Sequence, residues 1–331
     1  MAKWMQKVLA FIMVFTCLLI LYASFRYEKE VTIDEKRYDN LLLKKCFYNA
    51  FGESLLVLNF NYPYYDNIPV LKDLYEGVFD NIVICGPRSR LTFATKHQPD
   101  IILDNGFGLF GYHCLALAME KFPNYKGYFF GNDDMIINWW TMVDLNTNQI
   151  WHGAKKVDWR QLAFGNIIVK KWIWWKKDVG LAACQRYFKK LKALASTGSV
   201  AATIAVKTYL KNGNGSPRCG KGWSDFFYIP GKLSLQYITL SHIAYQCNLF
   251  LEIAVHNILR SLDLKENFYI LNGMYLPDIG KQDFTTEGFW STYTHQVAFI
   301  HPYKFHARNQ YFSTSLLKSK VIRFKQMLTN C

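Results

Sequence analysis

The chain has 331 residues, of which 51% are hydrophobic, 17% aromatic and only 19% charged. That composition excludes an intrinsically disordered chain and is ample for one large packed domain or two small ones. The formal net charge of +14 favours anionic partners, but the basic residues are spread along the chain without a nucleic-acid-binding signature. Nucleic acid is therefore not expected as a partner, whereas anionic lipid and phosphate-bearing small molecules remain open.

In chain order, the first strong signal is the uncharged run from Val8 to Phe25. It is just long enough to span a bilayer, and Lys3 and Lys7 before it favour a cytosolic N-terminus. The expected organisation is a cytosolic tail at 1–7, a transmembrane signal-anchor at 8–25, a mixed, charged stem at 26–53 and a lumenal domain at 54–331. A cleaved signal peptide ending near Ala23 and Ser24 is the alternative. Either reading places the bulk of the chain in the lumen of the secretory pathway or outside the cell.

From Ser54 the pattern changes. Leu55 to Asn61 is a short apolar run closed by Tyr62-Pro63, which predicts a buried strand. The spacing of Ile68, Leu71, Leu74, Tyr75 and Val78 predicts a helix over 67–79. Asn81 to Cys85 predicts a second strand, ended by Gly86-Pro87, and Asp100 to Asp104 a third. A helix over 112–122 is stopped by Pro123, and Gly127 to Phe130 predicts a strand running into Asn132-Asp133-Asp134. Alternating strands and helices predict an α/β domain with a mainly parallel sheet and crossover helices. Further on, a strand is expected at 148–152, an amphipathic helix at 178–194 and a strand at 224–229. Two helical segments are expected within 233–262, a loop at 280–288 and a late strand at 296–300.

Of the eight cysteines, Cys17 lies in the apolar run. The other seven lack the close spacing of a zinc site. In an oxidising lumen at least one disulfide is expected, of unassigned connectivity. The odd number leaves one thiol free or bridging two chains, so a homodimer stays open. Asn214-Gly215-Ser216 is a glycosylation sequon weakened by Pro217.

Asp133 and Asp134 follow an apolar strand directly, and the carboxyl ends of strands are where open parallel sheets bind ligands. Adjacent carboxylates can hold a divalent cation, which can neutralise a diphosphate. An acidic turn capping a helix near Met135 is the alternative. Glu252 stands in the apolar stretch Leu249 to Val255, where a carboxylate must be paired or used. Either it is a general base or it pairs with a residue such as Arg260 or Lys232. Asp225, opening a strand, is the rival base. Trp172, Trp174 and Trp175 stand among lysines and suit a sugar, a membrane surface or a core edge. Trp139 and Trp140 are similarly ambiguous but lie close to the acidic pair.

Asn132-Asp133-Asp134 after Gly-Tyr-Phe-Phe, preceded by alternating strands and helices, resembles the acidic metal motif of GT-A glycosyltransferases. It departs from the usual Asp-x-Asp spacing, because residue 132 is Asn. The segment Ile300-His301-Pro302-Tyr303-Lys304 resembles the late His-containing segment of some members. A narrower resemblance is to the plant STELLO-like glycosyltransferase proteins. The resemblance implies a Golgi or ER membrane protein of type II and a nucleotide-sugar donor. The acceptor would be a hydroxyl of a glycan or glycoprotein. It implies Mn²⁺ (or Mg²⁺) on Asp133 and Asp134, with His301 as a further ligand. Lys304, Asn132 and Trp139 would lie toward the donor, and Glu252 or Asp225 would be the base. Two other classes stay open: a non-catalytic lumenal scaffold that organises other transferases, and a carbohydrate-binding module built on the tryptophans.

Overall fold

The computed structural model describes residues 12–19, 22, 36–89, 96–154, 157–161, 172–276, 289–291, 293–305 and 314–330. Residues 12–19 of the apolar N-terminal run are helical, and the rest of that run lies largely outside the described residues. Among the described residues no helix is long and apolar enough to cross a membrane. The loop expected at 280–288 lies outside them as well.

The strands are β1 (Ser54–Asn59), β2 (Asn81–Gly86), β3 (Ile101–Ile102), β4 (Gly127–Asn132), β5 (Ile136–Ile137), β6 (Trp151–His152), β7 (Asp158–Gln161), β8 (Arg218–Lys221), β9 (Phe226–Pro230), β10 (Tyr269–Ile270), β11 (Gly273–Tyr275) and β12 (Phe299–His301). The main sheet has the order β10-β6-β9-β4-β1-β2-β3. Its β4-β1-β2-β3 half is parallel, as the alternating sequence pattern predicts. β9 then pairs antiparallel with β4, and β6 antiparallel with β9. A second sheet, β11-β12-β5, and the β7-β8 pair complete the strands among the described residues.

Every residue of β1 and of β4 is buried, as strands covered on both faces require. The side chains alternate between two cores. Leu55 and Val57 of β1 and Tyr128 and Phe130 of β4 face one, and Leu56, Leu58 and Phe129 face the other. On the first face pack α2 (Tyr112–Lys121), α3 (Leu181–Ser196), α4 (Val200–Asn212), α5 (Ser234–Gln246) and α6 (Leu251–Leu262). On the second face pack α1 (Ile68–Tyr75), the late residues Phe289 to Tyr303, and the C-terminal helical turns.

Most of the expected elements are present with shifted ends. α1 stops four residues short of Phe79, because Glu76 is extended and Gly77 adopts φ +80°. The third strand shrinks to two residues, and that expected at 148–152 to Trp151–His152. The two helices within 233–262 are parted at Asn248, where φ is +54°. α4 is a helix the sequence pattern did not reveal, opened by Ser199, whose side chain accepts from the Ala202 amide.

The cysteine expectation is met. Cys85 bonds Cys114, joining β2 to α2, and Cys184 bonds Cys219, joining α3 to β8. Cys46 is also in a disulfide, and Cys247 is a buried free thiol.

Phe129 is the centre of the second core, with ring contacts to Phe51, Phe79, Trp151, Phe226 and Tyr228 at centroid distances of 4.7–6.2 Å. Phe129→Ala is expected to lower stability by about 3–5 kcal/mol, read as a loss in the midpoint of chemical or thermal unfolding.

Candidate functional site

The site forms where β1 and β4 end side by side. The register pairs Asn59 with Asn132, and the Asp133 amide donates to the Asn59 carbonyl at 2.9 Å. Both strands are too deeply buried to end in solvent, so their terminal polar side chains must find partners in the protein. They do so through a relay of amides. Asn105 Nδ2 donates to Asn59 Oδ1 at 3.0 Å, Asn59 Nδ2 to Asn132 Oδ1 at 3.0 Å, and Asn132 Nδ2 to Asp225 Oδ1 at 3.0 Å. A Cβ at Gly111 would lie 2.5 Å from Asn59 Nδ2, so glycine there admits the start of α2 against the relay.

Asn132 therefore points into the protein and positions Asp225. Asp133 and Asp134 are buried immediately beyond it. No helix begins at Met135; a turn leads into β5, so the helix-cap alternative does not apply. The second sheet brings β12 across the acidic pair through its pairing with β5. His301 Nε2 comes to 3.3 Å from Asp134 Oδ1 and 3.4 Å from Asp225 Oδ1. Lys304 Nζ pairs with Asp134 Oδ2, and the Tyr303 amide donates to the Asp134 carbonyl at 2.6 Å. Asp134 Oδ1 is buried and has the His301 ion pair but no hydrogen bond, and His301 Nδ1 is buried without a hydrogen-bond partner.

Charge divides these carboxyls. Burial and then the neighbouring Asp134 push Asp133 up to about 8. Burial acts upward on Asp134 too, but the charges of His301 and Lys304 outweigh it and hold the group below the usual carboxylate range. Burial raises Asp225, with His301 opposing. For His301, burial lowers the pKa, but Asp225 and Asp134 outweigh it and raise it.

Glu252 lies in the first turn of α6, and its carbonyl accepts from the Gly222 amide at 3.1 Å. Burial and then the charge of Asp225 push its carboxyl up to about 7, with Lys221 and His301 opposing. It is thus within electrostatic reach of Asp225, Lys221 and His301. A general base works best with a pKa near the working pH, and Glu252 meets that condition.

Asp133, Asp134, Asp225, Glu252, His301 and Lys304 therefore converge, although the sequence scatters them over more than half its length. Trp139 does not join them. It is fully buried in the second core, edge-on to Phe47 and Trp140. The tryptophan cluster packs at the start of α6: Trp174 stacks on Phe250, with Lys177 Nζ 4.0 Å from its ring centroid, and Lys221 Nζ lies 4.3 Å from that of Trp172. Asn59 and Asn105 escaped the sequence reading; a polar residue closing an apolar strand was the available signal for Asn59. Among the described residues no group of three or more His, Cys, Asp or Glu side chains is arranged to hold a metal ion. Two adjacent buried carboxyls beside an imidazole are nonetheless suitable donors for Mn²⁺ or Mg²⁺. The Asp134 oxygen without a hydrogen bond is the one such a cation would satisfy.

The family model described as STELLO glycosyltransferases matches residues 24–226. Two Arabidopsis thaliana proteins are similar. "Probable glycosyltransferase STELLO1" is 21% identical over 253 residues, covering 76% of this chain and 30% of the relative. "Probable glycosyltransferase STELLO2" is 22% identical over 222 residues, covering 66% and 26%. The chain thus spans less than a third of the length of these curated relatives. A solved structure of the bifunctional glycosyltransferase WbbM superposes with a TM-score of 0.36 and 8% identity, over 84% of this chain and 49% of that one.

One consequence of the Glu252 environment is measurable on the protein alone. Burial and the charge of Asp225 push its carboxyl up to about 7 in the fold from the ordinary value of 4.5. The folded state therefore favours the protonated form, and the associated stability is lost as pH rises from 4.5 through 7. Glu252→Gln fixes the neutral form. It is expected to leave the melting temperature unchanged near pH 4.5 and to raise it above pH 7, by an amount equivalent to roughly 3 kcal/mol. Thermal melts of both proteins across that pH range check it.

Proposed function

We propose, from the premise that this chain belongs to the STELLO glycosyltransferase family, that it transfers a sugar from a nucleotide-sugar donor to a hydroxyl of a glycan or glycoprotein. The observation that carries this reading is the meeting of the acidic pair, a cationic pair and a poised carboxyl at the carboxyl end of β4. Asp133 and Asp134 would hold a divalent cation, Mn²⁺ or Mg²⁺, with His301 beside them. A bound cation would supply positive charge facing the donor diphosphate. Lys304, half exposed at the same place, adds a charge-assisted donor for phosphate oxygens. Glu252 takes the proton of the acceptor hydroxyl, and Asp225, oriented by Asn132, is the alternative base.

The compartment belongs to the same proposal. Disulfides at Cys85–Cys114 and Cys184–Cys219 support an oxidising lumen. The apolar run at 8–25 supports attachment as a type II protein of the Golgi or ER membrane.

A second reading has one observation in its favour. Lys304 already sits on Asp134, where a cation's charge would act, as it could in a scaffold that binds donor without metal or turnover. Calorimetric titration of UDP- and GDP-sugars separates the two. The metal-dependent enzyme requires binding with Mn²⁺ that disappears in a chelator and in Asp133→Ala and Asp134→Ala. The scaffold requires chelator-resistant binding that disappears in Lys304→Ala. For the enzyme, Glu252→Gln is expected to reduce single-turnover transfer by about two to four orders of magnitude while donor affinity holds. Near-normal transfer by that variant would remove Glu252 from the mechanism and leave Asp225.

A further inference from the structure

We propose that the indole of Trp223 is the platform on which the ring of an acceptor sugar stacks. This deepens the sugar-transfer reading above and rests on it. Trp223 is 48% exposed, and it lies two residues before Asp225. One face of its ring is taken by Tyr275, at a centroid distance of 4.4 Å and an interplanar angle of 24°. Tyr275 is braced in turn, edge-on to Phe299 at 5.3 Å and to His301 at 6.1 Å. Its hydroxyl is buried against Gly153, where a Cβ would come to 3.0 Å. The Trp223 carbonyl is tied to His256 Nε2 at 3.0 Å.

An indole held on one face and at its backbone is preorganised, so a ligand stacking on it loses little side-chain entropy of the protein. The negative face of the π system suits the polarised C–H face of a pyranose. The surroundings select a sugar over a lipid or an apolar peptide. Burial raises the pKa of Tyr275 most, and the charges of Asp225 and Glu252 raise it further, which puts the base of the proposed transfer within electrostatic reach of the platform. Carboxylates repel an anionic membrane and leave apolar ligands with desolvated charge. A sugar offers an apolar face to Trp223 and hydroxyls to the carboxylates.

The probes are neutral tetrasaccharides of β-linked glucose, xylose, mannose and galactose, titrated calorimetrically into the full chain with UDP and Mn²⁺ present. At least one is expected to bind saturably. Trp223→Leu and Trp223→Ala are expected to weaken that binding about tenfold, and Trp223→Phe to hold it within about threefold. Melting temperatures confirm that each variant is folded; Trp223→Leu keeps apolar bulk if the alanine variant is unstable. Equal affinity in wild type and Trp223→Leu, or no saturable binding of any tetrasaccharide to wild type, overturns the platform. Binding of UDP- and GDP-sugars is measured on the same preparations. If it persists while the tetrasaccharide result is negative, the platform alone is wrong; if it is absent, the sugar-transfer reading has failed.

Discussion

Asp133 and Asp134 are buried at the end of β4 with the mostly buried Asp225 beside them, and one histidine and one lysine from late in the chain stand against them. Burying like charges this close is unfavourable unless protons, cations or hydrogen bonds compensate. The structure uses all three. Burial and Asp134 favour the protonated form of Asp133, His301 and Lys304 favour the charged form of Asp134, and Asp225 accepts from Asn132. A folding optimum would place apolar side chains here; a polar binding site would not.

The rest of the architecture follows from supporting that cluster. The parallel strands bring Asn59 and Asn132 level, so the amide relay runs across the sheet. The antiparallel insertion of β9 next to β4 sets Asp225 beside the acidic pair, with the Asn132 amide donating to the Asp225 carbonyl at 3.2 Å. The small second sheet exists to the extent that β5 gives β12 an edge to pair with, and β12 carries His301. The polar groups thus sit at the ends of strands and helices or within a few residues of them, where buried elements fix their positions.

The parallel half of the sheet was legible because its strands are continuous apolar runs bounded by Gly, Pro and Asn. The acidic pair was legible because it breaks such a run. Glu252 stood out for the same reason, as a charge in an apolar stretch. The partners were not legible. Asn132 read as a residue turned toward the donor, whereas its amide is committed to Asn59 and Asp225. Trp139 read as a donor contact because it is near in sequence, but the turn after Asp134 sends it into the core. Trp223 and Tyr275 are 52 residues apart and meet only through tertiary pairing, which no local pattern encodes. α4 was hidden because its alanine- and valine-rich sequence has little polar–apolar contrast around the helix.

The ion pair between Lys304 and Asp134 closes over 170 residues of chain. On a ribosome the acids of β4 emerge long before the cations that compensate them, and domains otherwise tend to consolidate from the N-terminal side. Until β12 arrives, the end of β4 is a cluster of uncompensated carboxyls that water, protons or a chaperone must accommodate. The functional centre is thus closed by a contact between an early strand and a late one, and its charge balance exists only once both are in place.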